Sequence, residues 1–343
     1  MLNAVPLGKK CGMKISELCL GTMNFGEPGR GHQGDWTLPE DEARPIFKKA
    51  FEHGLFFFDC ANVYGLGSCE RVVGKILGSL FQRDEYVLAT KVAIPMGRGA
   101  NQGGLSRKHI FESVDASLER LGHDYVDHLV IHRHPHGVRG QNPVPIEETL
   151  EALHDVVKAG KVLYLGASSM FAWQFAELQW TAKANGWTEF VSMQNHYNLI
   201  YREEEREMNP YCVSTGIALT PWSPLARGIL AGSYKGGFSS GSTARSSGHD
   251  RVRTESLYRG EADFEIAERV SEVADRHGRK PAQIAIAWMV GKPEITAPIV
   301  GVSRVSQLEE LIQATEIELS SEDVSYMEEL YKPVENLLSI GTS

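Results

Sequence analysis

Cysteine is scarce in this 343-residue chain. The five thiols, Cys11, Cys19, Cys60, Cys69 and Cys212, are odd in number and scattered, with no C-x-x-C pair. A disulfide framework or structural zinc site is therefore not expected, and a reducing cytoplasm is the fitting compartment. No apolar run reaches the ~18 residues of a membrane span, which argues against membrane insertion. The opening MLNAVPLGKKCGMKISELCLG lacks a positive end followed by an unbroken apolar core, so a signal peptide is not expected. Positive charge is in the minority: 35 Lys and Arg face 44 Asp and Glu, a net charge of −9. That balance argues against nucleic acid or an anionic membrane as the main partner. No carboxylate–histidine cluster has metal-ligand spacing, so no metal is expected.

Short apolar runs alternate with longer helical patterns. The expected strands are 15–22, 55–61, 86–92, 126–132, 162–168, 190–197, 217–223 and 297–303. Several are apolar through most of their length, as in parallel strands covered on both faces. Among the helical segments, SRKHIFESVDASLERLG offers Ser106 as N-cap and an apolar stripe at Ile110, Phe111, Val114, Leu118 and Leu121. PIEETLEALHDVVKAGK opens on Pro145 and stops at Gly160. In PEDEARPIFKKAFEHG, Pro45 should lie in the first turn or kink the helix. GSCERVVGKILGSL, FEIAERVSEVADRHGR and PAQIAIAWMVGK read as further helices.

Eight strands, most followed by a helix, give an α/β fold of the (β/α)8 TIM-barrel class. A doubly wound dinucleotide fold is the runner-up, but GTMNFG after the first strand is not its G-x-G-x-x-G. The whole chain, 1–343, reads as one barrel domain, with a core at about 8–318 and a C-terminal helix and tail over 319–343. Residues 93–105 and 228–260 break the rhythm and are candidate cofactor or substrate loops at the C-terminal face.

The strand ends carry the chemistry. The second strand delivers Asp59, with Tyr64 just beyond; Lys91 lies in the third and His132 ends the fourth. In a barrel such residues can converge. A tyrosine hydroxyl, with an ordinary pKa near ~10, is a weak acid; a neighbouring Lys91 ammonium would lower it and Asp59 could orient that ammonium. His132 could donate to a carbonyl or relay a proton, and the group could protonate an oxygen as hydride reaches the adjoining carbon. Each residue taken singly also has an ordinary structural reading, as a cap, a turn or a packed aromatic. These spacings alone leave an oxidoreductase as one reading among others.

Beyond these spacings, LCLGTMNFG, FFFDCANVYGLGSCERVVG, VLATKV, SLERLGHDYVDHLVIHR, GKVLYLGASSM, VSMQNHYNLIYREEE, LTPWSPLARGIL and PIVGVSRVSQLEE occur in the order and spacing of a known family. The chain resembles the aldo-keto reductases over roughly residues 8 to 318, most closely microbial aryl-alcohol dehydrogenase-like members and potassium channel β-subunits. The resemblance implies a (β/α)8 barrel that binds NADPH/NADP+ without a Rossmann domain. It implies a catalytic tetrad at Asp59, Tyr64, Lys91 and His132, with Tyr64 as the general acid in reduction. By the same resemblance Gly21, Thr22, Asp59 and Tyr64 approach the cofactor, and Ser168 and Gln194 hold the nicotinamide carboxamide. Trp222 stacks on the nicotinamide, and Ser223, Leu225 and Gly228 follow the pyrophosphate. Gly301, Ser303, Arg304, Gln307 and Glu310 take the adenosine and its ribose phosphate. The chain departs from many members at Ser169 and Leu311, where Asn is common, and at Cys60, a Thr-like position.

The expected activity is NADP(H)-dependent reduction of aldehydes, with ketones as further candidates, by reversible direct hydride transfer. The alternative is a nicotinamide-redox-sensing regulatory subunit like the channel β-subunits. The expected partner is a small carbonyl or alcohol compound, aromatic ones included. Phe25, Trp36, Trp173, Trp187 and Tyr197 are the available aromatics, with Trp36 and Tyr197 considered ahead of Trp173 and Trp187 on or near the fifth helix. The family contains monomers and homo-oligomers, and the sequence does not choose between them.

Overall fold

The computed structural model describes residues 1–334 apart from 32, 137–142, 235–236, 239–248 and 259. Two short strands, β1 (Ala4–Pro6) and β2 (Lys14–Ser16), pair antiparallel as an N-terminal hairpin. The remaining strands are β3 (Cys19–Gly21), β4 (Phe57–Asp59), β5 (Val87–Val92), β6 (Val126–Ile131), β7 (Val162–Ser168), β8 (Phe190–Gln194), β9 (Ala218–Leu219) and β10 (Ile299–Val300). They form one parallel eight-stranded sheet in the order β10-β3-β4-β5-β6-β7-β8-β9. The two ends meet where Leu219 bridges Ile295 and Ile299 N–H donates to the Pro221 carbonyl at 2.8 Å, which closes the barrel. The helices are α1 (Glu40–Glu52), α2 (Ser68–Leu80), α3 (Arg107–Leu121), α4 (Ile146–Lys158), α5 (Ala172–Ala184), α6 (Met208–Thr215), α7 (His249–Leu257), α8 (Glu261–His277), α9 (Pro281–Val290), α10 (Val305–Gln313) and α11 (Ser321–Glu328).

The continuous apolar runs become strands because both of their faces are covered. Every residue of β5, β6 and β8 is buried, the outward side chains under helices and the inward ones in the barrel. Helix ends follow local chemistry. Ser106 accepts from His109 N–H at the start of α3, and Gly122, at φ 69°, ends it in the left-handed conformation. Pro45 lies inside α1, which continues past it. Its missing N–H costs one helical bond in a helix held by the buried Ala43, Ile46, Phe47 and Ala50.

The expected strand over 15–22 divides in two. Ser16 Oγ donates to the Leu18 carbonyl at 2.7 Å and accepts from the Phe56 and Phe57 N–H groups. These bonds end β2 in the hairpin before the barrel begins at Cys19. Of the two expected irregular segments, 93–105 has no regular element. The other, 228–260, contains α7 near its end, and much of it lies outside the described residues.

Two glycines mark close packing. A Cβ on Gly74 in α2 would overlap the Leu121 carbonyl and stand 2.6 Å from Leu121 Cα, so α2 and α3 touch backbone to side. A Cβ on Gly166 in β7 would stand 2.6 Å from Ser192 Oγ inside the barrel, where His128 and Ser192 are themselves hydrogen-bonded at 2.9 Å. Cys19, Cys60, Cys69 and Cys212 are buried and Cys11 partly so; Cys60 and Cys69 hold their sulfurs 3.3 Å apart beneath the end of β4. No helix among the described residues is long and apolar enough to cross a membrane.

Candidate active site

Three neighbouring strand ends bring four of the expected residues together. Asp59 closes β4 and Lys91 lies near the end of β5, where Asp59 pairs in register with Ala89. Lys91 Nζ donates to Asp59 Oδ2 at 2.5 Å, to the Cys60 carbonyl at 2.8 Å and to the Tyr64 hydroxyl at 3.2 Å. Tyr64 begins a tight turn over Tyr64–Gly67 in which Gly65 and Leu66 take positive φ of 55° and 48°. That turn sends the ring back over the barrel mouth, where it meets the His132 ring edge-on with centroids 6.1 Å apart. His132 follows β6, held by its N–H to the Val92 carbonyl at 2.8 Å.

Burial sets the protonation states. Burial disfavours the Lys91 charge, but the Asp59 carboxylate and the Tyr64 oxygen beside it outweigh that, and its pKa is raised. It is an ammonium at neutral pH. Burial drives the Tyr64 pKa up; the Lys91 ammonium pulls it back and Asp59 pushes it further up, so the net shift is upward. This corrects the expectation that Lys91 would lower it: the ammonium acts in that direction, but desolvation of the phenolate is larger. Tyr64 therefore holds its proton. Burial, then the positive charges of Arg133, Lys91 and Arg253, holds His132 well below the usual histidine range, as a neutral imidazole. Its Nδ1 has no hydrogen-bond partner among the described residues.

Of the expected cofactor residues, Gln194 and Thr22 contact Asp59 directly, and the others lie at or after the ends of further strands. Gln194, ending β8, donates from Nε2 to Asp59 Oδ1 at 2.9 Å, which leaves its carbonyl oxygen as an acceptor. Ser168 and Ser169 lie at the end of β7 with hydroxyls 3.3 Å apart, and Trp222 Nε1 donates to Ser169 Oγ at 2.9 Å. Trp222 stacks on His196, centroids 4.1 Å apart and planes 9° from parallel, and His196 stacks in turn on Tyr201. Gly21 ends β3 against the Ile299 side chain, and the Thr22 hydroxyl donates to the Asp59 carbonyl at 2.9 Å. After Trp222 the backbone turns through positive φ at Ser223, Ala226, Arg227 and Gly228 (55°, 47°, 56° and 103°) around Leu225. Three non-glycines in that region are a local strain of the kind found at ligand clamps, and such turns can aim successive N–H groups at one anion. Within the turn the Ala226 and Gly228 N–H groups donate to the Ser223 and Leu225 carbonyls at 2.9 Å each. After the neighbouring strand β10, Gly301, Ser303 and Arg304 are exposed, Ser303 donates to Gln307 Oε1, and Arg304 is the N-cap of α10. Glu310 pairs with Lys280 at 2.5 Å, while Leu311 is buried in the core.

Residues 17–332 match the model of the aldo/keto reductase family. The chain belongs to the aldo-keto reductase family. A relative named as an aryl-alcohol dehydrogenase of Schizosaccharomyces pombe is 43% identical, the match covering 94% of each chain. The versiconal hemiacetal acetate reductase of Aspergillus parasiticus is 41% identical over 94% of this chain and 95% of its own. A Saccharomyces cerevisiae relative, also named as an aryl-alcohol dehydrogenase, is 36% identical over 97% and 98%. Membership supports an enzyme of carbonyl reduction, in a family that generally uses a nicotinamide cofactor.

Within this aldo-keto reductase barrel some expected aromatics lie elsewhere. Tyr197 is buried beside Trp288 with its hydroxyl on Glu205 at 2.5 Å, so it serves the core. Phe25 packs on Phe47, and Trp173 is exposed on α5. Trp36 and Trp187 are half-buried, Trp187 against the core. Asn62, which with Gly65 is expected to shape the turn that presents Tyr64, is buried, and neither of its side-chain polar atoms has a partner among the described residues. Three polar groups went unnoticed in the sequence: His196 backs Trp222, and Arg133 and Arg253 bring positive charge to His132. Arg133 stands next to His132 in the sequence, and that adjacency was the available signal.

Proposed function

We propose that the protein is an NADP(H)-dependent reductase of aldehydes, and of some ketones, working reversibly. The observation that carries this reading is the Lys91 ammonium held by Asp59 at 2.5 Å and touching the Tyr64 hydroxyl at 3.2 Å. In this reading the substrate carbonyl oxygen lies between Tyr64 and His132. The bound nicotinamide supplies the hydride. Tyr64 gives its proton to the oxygen as negative charge grows there, and Lys91 stabilises the phenolate left behind. His132, neutral, donates a hydrogen bond from Nε2–H to the same oxygen and orients it without competing as an acid. Asp59 keeps Lys91 charged and pointed. In alcohol oxidation the same groups act in reverse, with the Tyr64 phenolate as base.

Ser168, Gln194 and Trp222 would hold the nicotinamide, Ser223, Leu225 and Gly228 the diphosphate, and Gly301, Ser303, Arg304 and Gln307 the adenosine end. The exposed Arg304 guanidinium at the start of α10, with no carboxylate paired to it among the described residues, supports a 2′-phosphate, hence NADP(H) over NAD(H). Glu310, engaged by Lys280, has a smaller part in this scheme. Loss of NADPH absorbance with an aromatic aldehyde tests the reading. Tyr64→Phe should lower turnover by about 100-fold or more while NADPH still binds, as read by fluorescence titration; undiminished turnover would sink it.

A further inference from the structure

Arg133 has no part in the scheme above, yet it lies beside the centre of it. It is half-buried directly after His132, and its Nη1 donates to the His132 carbonyl at 2.5 Å. Among the described residues no carboxylate pairs with it. The bond to the His132 carbonyl holds the guanidinium at the end of β6 beside that imidazole, and its charge bears on Tyr64, His132 and His196. Burial and the like charge of Arg253 push its pKa down to about 10, so it remains charged at neutral pH. Of the charged and titratable groups of the centre, Lys91 is committed to Asp59, His132 is neutral and Arg253 adds like charge. A guanidinium held half out of water without a counter-charge is costly, and an anion arriving with a ligand relieves that cost. One of its five N–H groups is used, so its remaining donors can take a carboxylate in two parallel bonds.

We propose that Arg133 is a specificity-determining residue that binds a carboxylate on the substrate, so that the preferred substrates are aldehydes carrying an acid group. The inference rests on the reductase reading for its substrate class. The other anion that reaches this face is the cofactor's phosphate. The strained turn proposed for it lies at 223–228, with Arg227 beside Thr254, whereas Arg133 adjoins His132. Two neighbouring sites are thus assigned to two anions.

The test compares kcat/KM for 4-carboxybenzaldehyde against benzaldehyde, and for succinic semialdehyde against butanal, in wild type, Arg133→Gln and Arg133→Lys, alongside the Kd for NADPH. The wild type should favour the acid in each pair by about tenfold or more, Arg133→Gln should remove that preference, and Arg133→Lys should restore part of it. A ratio unmoved by Arg133→Gln, or a weakened NADPH affinity with the ratio intact, overturns the proposal in favour of a structural or phosphate role. Titration of benzoate into the NADP+-saturated protein reads the same site without turnover. If no aldehyde is reduced, the reductase reading fails, while benzoate binding that is lost in Arg133→Gln still supports the anion site; benzoate binding equal in both proteins counts against it.

Discussion

Gln194 and Asp59 are 135 positions apart in the chain, yet the Gln194 side-chain amide donates to the Asp59 carboxylate at 2.9 Å. Lys91 takes the second oxygen of the same carboxylate. One buried acid at the end of β4 thereby joins Lys91 of β5 to the strand β8 that is expected to hold the nicotinamide amide. Gln194→Leu strips one donor from a buried carboxylate and should destabilise the fold by about 1–3 kcal/mol. The midpoint of urea unfolding measures this. An unchanged midpoint would show that the bond contributes little.

The pH profile of reduction follows from two opposite shifts. Tyr64 is raised, so it keeps its proton throughout the neutral range; His132 is lowered, so it stays neutral above the acid range. Reduction under cofactor saturation should therefore show no histidine-like inflection between about pH 5 and 8. A profile with an inflection in that window that vanishes in His132→Asn would contradict this assignment.

Glu204 lies buried in the turn after β8, where burial raises its pKa to about 8, an Asn195 hydrogen bond partly offsets the rise and Glu203 adds to it. The folded chain thus holds this proton more tightly than the unfolded chain. Its contribution is fully present below the ordinary glutamate pKa near ~4.5, declines as pH rises and is gone above about 8. Glu204→Gln should resist that decline. Its Tm relative to wild type should rise between pH 5 and pH 8 by at least ~2 °C. A constant difference across that interval would refute the shift.

Gly74→Ala forces a methyl group into the Leu121 backbone. No side chain can rotate away, so α2 and α3 must separate. We expect a loss of about 1–3 kcal/mol, read from chemical denaturation. Gly78, four residues on, has open space at its Cβ, and Gly78→Ala should be neutral or stabilising by about 1 kcal/mol. Equal effects at the two positions would show that the helix contact is looser than described.

Much of the barrel was legible because burial on both faces leaves a plain sequence mark: β5, β6, β7 and β8 fall within the expected runs. The first run misled because its polar Ser16 looked like an ordinary strand residue, while its hydroxyl terminates a hairpin by bonding three backbone groups. β9 and β10 are only two residues long, since the chain leaves the ladder at Pro221 and at Gly301. At the site, the positions of Asp59, Tyr64, Lys91 and His132 were readable from strand ends. The balance of forces on Tyr64 was not, because desolvation depends on everything packed around it. Tyr197 erred in the other direction: an aromatic after a strand can turn either to the mouth or to the core, and sequence carries no sign of which.

The buried sulfurs make the chain its own reporter of opening. Only Cys11 is partly accessible, while Cys19, Cys60, Cys69 and Cys212 are enclosed, and burial raises the Cys19, Cys60 and Cys212 thiols away from the reactive thiolate. A thiol reagent should thus find one site in the native protein and four more only as parts of it come undone. Cys60 and Cys69 lie under the Tyr64 turn, so the rate at which they are labelled times how often the floor of the catalytic mouth lifts, with no cysteine introduced.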